Sequence, residues 1–199
     1  MKVELHLHTM RFSGCALCTP ADMVTALVAN DYHAVYITEH DAVWPENELK
    51  LLRKQFPSIR IFPGMELSLH SGGHLLVLGS NDKAYLKMNN PGEIMERAKK
   101  LGHRTILAHP YRWAEGDAIL QSHLMPDAIE YLTNNHDAAC GLLARAAAER
   151  FCLPLVNAGD CHSIDMVNRF WIETEIGLTK AKDIRRIILE GLYRNCARA

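Results

Sequence analysis

Apolar residues fall in short runs along the chain, separated by stretches whose apolar positions recur every three or four residues. Residues 3–7, 34–38, 59–67, 74–78, 105–108, 128–131, 155–158 and 171–176 read as strands. Residues 20–30, 46–55, 91–101, 137–151 and 181–192 read as helices, the first with Thr19 as N-cap and Pro20 at its first position. Ser71-Gly72-Gly73 marks a hairpin turn between the third and fourth strands. Elsewhere strand and helix alternate, a pattern that predicts parallel strands with crossover helices, in an open sheet or a closed β/α barrel. No repeat, low-complexity segment or Gly/Pro/Ser-rich linker interrupts it, so the expectation is one domain over residues 1–199.

Composition narrows the function. With 22 basic and 23 acidic residues the formal charge is −1, which argues against a polybasic membrane binder or a nucleic-acid coat. No run of about 18 apolar residues is present, so no membrane span is expected. The opening MKVELHLH lacks the apolar run of an export signal. The six cysteines (Cys15, Cys18, Cys140, Cys152, Cys161 and Cys196) then read as reduced thiols in the cytoplasm. Cys15-Ala-Leu-Cys18 is a single C-x-x-C without the second pair of a zinc ribbon. Histidine is the unusual residue: there are 11, and metal binding is the first explanation to test.

The histidines sit where the strands stop. His6-Leu7-His8 places two imidazoles on one face of an extended segment, because side chains at i and i+2 point the same way. Glu39-His40-Asp41 follows the second strand, Glu66 closes the third, His74 opens the fourth and His109 follows the fifth. Asp160-Cys161-His162 follows the seventh and repeats the i, i+2 spacing with a carboxylate and an imidazole. In a β/α barrel, active sites assemble at the C-terminal ends of the strands. Each short motif alone is weak, but six of them at corresponding places are not a chance pattern. Nitrogen and oxygen donors suit Zn, Mn or Fe, with Mg as the harder alternative.

The stretches VELHLHT, AVYITEHD, PGMELS, GGHLLVLG, ILAHPYRW and NAGDCHS, in this order, resemble the PHP (polymerase and histidinol phosphatase) family. The resemblance spans residues 3–163. It implies a distorted seven-stranded, TIM-like β/α barrel with two or three divalent metals at the C-terminal mouth of the strands, and hydrolysis of phosphate esters. It implies His6, His8, His40, Glu66, His74, His109, Asp160 and His162 as ligands. One position departs from the family, which often carries an aspartate soon after the H-x-H. Here no acid occurs between His8 and Asp22, so a water, a neighbour, or Cys15 or Cys18 is left to fill that slot.

The chemistry expected of such a centre is attack on phosphorus by a metal-bridging hydroxide, since clustered cations activate water and neutralise a phosphoryl group. His6, His8, Glu66 and Asp160 are the best choices to hold the paired metals. Arg112 and Arg11, each three residues beyond a ligand histidine, are the candidates to bind the substrate phosphate, Arg112 the stronger. No general acid stands out. Of the histidines left over (His33, His70, His103, His123 and His136), His70 is the best choice for a supporting or leaving-group role, and Glu39 and Asp41 either orient ligands or cap the next helix. Apart from residues 111–127 the strand-end loops are short, which suits a small phosphorylated metabolite or nucleotide. A nucleic-acid substrate is not expected, because no basic, aromatic-rich platform is visible. Oligomeric state is not legible. The competing readings are a non-catalytic metal-binding domain and a metal-dependent amidohydrolase. Against the second, no strand-end lysine is placed to serve as a carboxylated bridging ligand.

Overall fold

The computed structural model describes residues 1–113, 119–120 and 125–198. Among the described residues nine strands form one sheet: β1 (Lys2–Glu4), β2 (Ala34–Ile37), β3 (Arg60–Ser68), β4 (His74–Leu78), β5 (Arg104–Ala108), β6 (Ala128–Glu130), β7 (Leu155–Val156), β8 (Phe170–Thr174) and β9 (Tyr193–Ala197). They lie in the order β7-β6-β5-β4-β3-β2-β1-β8-β9. Among the described residues the helices α1 (Pro20–Ala29), α2 (Glu46–Gln55), α3 (Pro91–Leu101), α4 (Ala138–Phe151) and α5 (Ile184–Leu189) pack around them. Among the described residues no helix is long and apolar enough to cross a membrane.

The sheet curls into a nearly closed barrel. Beyond β1 and β7 the chain makes a parallel bridge between Leu7 and Cys161. His8 N–H donates to Cys161 O at 2.9 Å and Cys161 N–H donates to His6 O at 3.2 Å. The first and seventh strands therefore meet at the mouth. At the other end the β8–β9 hairpin adds to β1, and Asn195 of β9 reaches β7 through its side chain, its Nδ2 donating to Leu155 O at 2.9 Å. The seven-stranded expectation is thus corrected to nine. The last strand, YRNCA, escaped the sequence because it is polar and pairs only along one edge with β8.

A second correction concerns direction. β1·β2, β2·β3, β5·β6 and β6·β7 are parallel, but β4 runs antiparallel to both β3 and β5. The Ser71–Gly73 turn enforces this, with Gly72 and Gly73 at φ 82° and 75°, a region costly for residues bearing a Cβ. Because β4 runs backwards, His74 at its start reaches the same mouth as residues at the ends of its neighbours.

Burial follows the two-residue period of the strands. On β2, Ala34 and Tyr36 join the inner core with Val3, Leu5, Leu76, Ile106 and Val156, while Val35 and Ile37 pack outward on Met23, Leu27 and Leu49 of α1 and α2. Ile184, Ile187 and Ile188 of α5 belong to the inner core, so this helix stoppers the end opposite the mouth. The predicted last helix is shorter than residues 181–192, since its first turn is a 3-10 turn at Ala181–Asp183.

Candidate metal centre

The chain changes its facing just where the first ligands begin. Val3 and Leu5 point into the barrel and Leu7 points out toward α1, so one residue is slipped between Leu5 and His6. Glu4 holds that slip. Its carboxylate, wholly buried, accepts from Leu5 N–H and His6 N–H, both at 3.0 Å, and from Gly159 N–H at 2.6 Å. The slip works as a bulge does, re-aiming side chains at the end of a strand, and it turns His6 and His8 inward together.

All eight ligands implied by the sequence converge. Glu66 is central: its Oε2 lies 3.2 Å from His6 Nε2, 3.1 Å from His8 Nε2 and 3.0 Å from His40 Nδ1. Its Oε1 lies 2.8 Å from His74 Nδ1 and 2.9 Å from His109 Nε2. Asp160 Oδ1 is 3.3 Å from both His6 Nε2 and His8 Nε2, and 3.5 Å from His162 Nδ1. Three donor sets, each within 4.8 Å, overlap here: His8, His40 and His162; His6, His8 and Asp160; and His40, Glu66 and His74. Neither Cys15 nor Cys18 joins a set among the described residues. The side chain that reaches the site after the H-x-H is instead Ser13, whose Oγ lies 3.1 Å from His8 Nδ1.

The donors fit divalent cations. Glu66 Oε2 and Asp160 Oδ1 are buried carboxylate oxygens without a hydrogen bond, although imidazole nitrogens crowd around them. His6 Nε2 and His8 Nε2 stand 2.9 Å apart. Such a gathering of buried acceptors is costly unless a cation or protons sit among them. Burial disfavours the charged form of Glu66, but His6, His109 and His40 outweigh it and hold the carboxyl well below its ordinary range. Asp160 is lowered likewise, with burial overcome by His6 and His8. His6 is pushed up, as Asp160, Glu130 and Glu66 overcome its burial. Backbone strain marks the same residues: His109 and Asp160 have φ 26° and 46°, positions that non-glycine residues rarely hold without support.

Supporting residues were partly missed by the sequence. Glu130, at the end of β6, bonds His6 Nδ1 at 2.7 Å through Oε1 and accepts from His109 N–H at 2.6 Å through Oε2. A carboxylate behind a ligand histidine fixes its ring and tautomer. The signal available was an acidic residue ending an apolar strand, as at Glu66. We expect Glu130→Gln to weaken metal binding about 10–100-fold, measured by competition with a chelating dye; unchanged affinity would remove Glu130 from the centre. Glu39 accepts from Thr9 Oγ1, Ser13 Oγ and Trp44 Nε1, and Ser13 carries the contact on to His8, a candidate ligand. Asp41 neither orients a ligand nor caps a helix; it accepts from Ser68 N–H and Oγ.

A cleft of about 370 Å³ opens above the donors, lined among others by Cys15, Leu17, Arg112, Trp113 and Asn135. Arg112 is on it. Arg11 is not: its guanidinium pairs with Glu48 at 2.8 Å in another groove. His70 is exposed and sits 3.0 Å from Asn89 O, away from the cleft lining. His136 Nε2 sits 2.5 Å from Pro110 O and His103 Nδ1 2.9 Å from Tyr85 OH, both structural contacts, while His123 lies outside the described residues.

Glu4 also sets a pH dependence. Burial pushes its carboxyl up to about 7, against an ordinary 4.5. A group held protonated in the folded state stabilises fully below its unfolded value, and that stability is lost as pH rises through its folded value. Between about pH 4.5 and 7 the wild type should therefore lose stability, relative to Glu4→Gln, by up to about 3 kcal/mol. Denaturant unfolding of the metal-free proteins across this window checks it; parallel curves would sink the assignment.

No family model matches the chain, and no curated protein matches it. Solved structures do. A two-domain protein from Bacteroides vulgatus containing a predicted PHP-like metal-dependent phosphoesterase superposes with TM-score 0.78 at 19% identity, covering 100% of this chain. The chain spans 65% of that protein, less than two thirds. Endonuclease Q, solved with a duplex bearing an abasic lesion, superposes with TM-score 0.68 at 14% identity, over 98% of this chain and 58% of its own. An amidohydrolase from Chromobacterium violaceum with bound sulfate superposes with TM-score 0.59 at 14% identity, over 82% and 88%. The sequence-based expectation against nucleic acid finds no support here, since a nuclease shares the architecture. Identities this low concern architecture alone, and on that ground the chain has the fold of the PHP-like metal-dependent phosphoesterases.

Proposed function

We propose that the protein is a metal-dependent hydrolase of a phosphate ester, a phosphomonoester or small phosphodiester on a small metabolite or nucleotide. One observation carries the reading: six imidazoles converge on two buried carboxylates, Glu66 and Asp160, each with an inner oxygen that has no hydrogen bond. His6, His8, His40, Glu66, His74, His109, Asp160 and His162 would hold two or three divalent ions. Such ions, when bound, supply an activated water near neutral pH and neutralise phosphoryl charge. The chain's own residues do the rest. Glu130 and Ser13 fix the rings of His6 and His8, and the Leu7–Cys161 bridge keeps the ligands of the first and seventh strands in register.

Arg112 is the cation at hand for the phosphoryl oxygens. Replacing Arg112 by Ala should raise KM for a phosphomonoester about tenfold with a smaller change in kcat; an unchanged KM would take it out of the site. The reading is tested by metal analysis of the purified protein together with a screen of phosphorylated metabolites under Zn, Mn and Fe. Metal-dependent release of phosphate is the expected result. Full metal content with no release from any ester would overturn it in favour of a non-catalytic metal domain, and turnover of amides alone in favour of an amidohydrolase. Among the described residues no lysine lines the cleft, which speaks against a carboxylated-lysine centre.

A further inference from the structure

The base of the barrel carries a second cavity, of about 420 Å³, at the end opposite the mouth. It opens where β5 and β6 begin, between α3 and α5. Arg104 and Asp127 form its strand side, Lys99 and Arg185 stand on the two helices, and Met95 and Leu189 supply apolar wall. It shares no lining residue with the cleft over the donors. A space of this size suits a small metabolite.

Charge in this cavity is lopsided. Arg104 is 3% exposed, and only one of its nitrogens is engaged: Nη1 donates to Asp127 Oδ1. Its Nε and Nη2 are buried with no hydrogen-bond partner. Leaving such donors unpaired in the interior is costly. The Asp127 carboxylate is already shared, since Oδ2 accepts from Thr105 N–H at 2.9 Å and from Thr105 Oγ1 at 3.2 Å. Lys99 and Arg185 are exposed, and among the described residues neither side chain has an ionic or hydrogen-bond partner.

Three cations and one carboxylate thus line the same space, and two positive charges stand unbalanced. The chain as a whole has a formal charge of −1, so this is a local excess and not part of a general basic coat. Walls of low dielectric concentrate such a field on whatever enters. A guanidinium fork with spare nitrogens and an ammonium are common partners of phosphoryl and carboxylate oxygens. The unpaired nitrogens of Arg104 are shut from water, so an anion engages them by drawing the guanidinium toward the cavity. Met95 and Leu189 leave a place for a short apolar body behind the charge.

We propose that this cavity at the base of the barrel binds a small dianionic metabolite, its phosphoryl group or paired carboxylates held by Arg104, Lys99 and Arg185. The test is calorimetry on metal-loaded protein with inorganic phosphate and, separately, succinate; the anion that binds more tightly identifies the group. Either anion can also reach the metal centre, and substitutions separate the two sites. Lys99→Met and Arg185→Met, both at exposed positions, should each weaken one binding event about tenfold, and the two together should abolish it. Arg112→Ala should leave that event in place, and added sodium chloride should weaken it. Binding curves for both anions that are the same in the wild type and in the doubly substituted protein overturn the site, as does a lack of binding by either anion.

Discussion

A Glu66→Gln protein is expected to lose most of its bound metal and at least a hundredfold of any metal-dependent turnover, by order of magnitude (~100-fold). The substitution keeps the volume and planar shape of the side chain and removes only its charge and one acceptor oxygen. Yet Glu66 is the one side chain whose oxygens stand within 3.2 Å of five imidazoles, those of His6, His8, His40, His74 and His109. An amide nitrogen at either oxygen position would point hydrogens at those rings and take from any bound ion one of the two carboxylates of the cluster, leaving Asp160 alone. It would also remove one of the carboxylates that keep His6 readily protonated when no metal is present. Metal content by atomic spectroscopy, beside turnover on the best ester found, decides the matter. A Glu66→Gln protein with full metal content and wild-type turnover would show that Glu66 is only a structural buffer among the histidines.

Gly159→Ala should be the most damaging small substitution outside the ligands. A Cβ at this position would lie 2.4 Å from Cys161 Sγ and 2.5 Å from Glu4 Oε2. Both neighbours are wholly buried, and Glu4 already accepts from Gly159 N–H at 2.6 Å. Neither can swing aside without breaking the slip that turns His6 inward. Overpacking of this kind costs about 3 kcal/mol, equivalent to roughly 10 °C in Tm at this chain length. Thermal unfolding measured with and without metal tests it. A melt within about 2 °C of wild type would mean that Glu4 gives way freely.

Much of this candidate centre was legible in the sequence, because its donor side chains are rare residue types placed at strand ends. The i, i+2 spacing of His6 and His8 correctly predicted a shared facing. It did not predict how that facing arises: regular pairing in β1 ends at Glu4, and a carboxylate turns the two histidines in. Glu4 and Glu130 were not singled out: an acid in or at the end of an apolar strand is a signal in both, but it does not say which backbone amides or rings the carboxylate will meet. Arg11 shows the limit of spacing arguments. Three residues beyond His8 it looks like a phosphate ligand, but α2 offers it Glu48. The antiparallel placement of β4 was half visible in its glycine turn. The β8–β9 extension was hidden by the polarity of its outer strand.

The Leu7–Cys161 bridge also has a kinetic meaning. The ligands come from chain positions as far apart as His6 and His162, and the bond from Gly159 N–H to Glu4 spans 155 residues. Closing so large a loop is entropically expensive, and topologies dominated by distant pairings fold slowly. Helix and hairpin contacts can form early, but no pair of ligands from opposite ends of the chain exists until the circle is shut. The candidate centre therefore needs both ends of the barrel in place at once, and a chain with only local structure holds no complete set of its donors.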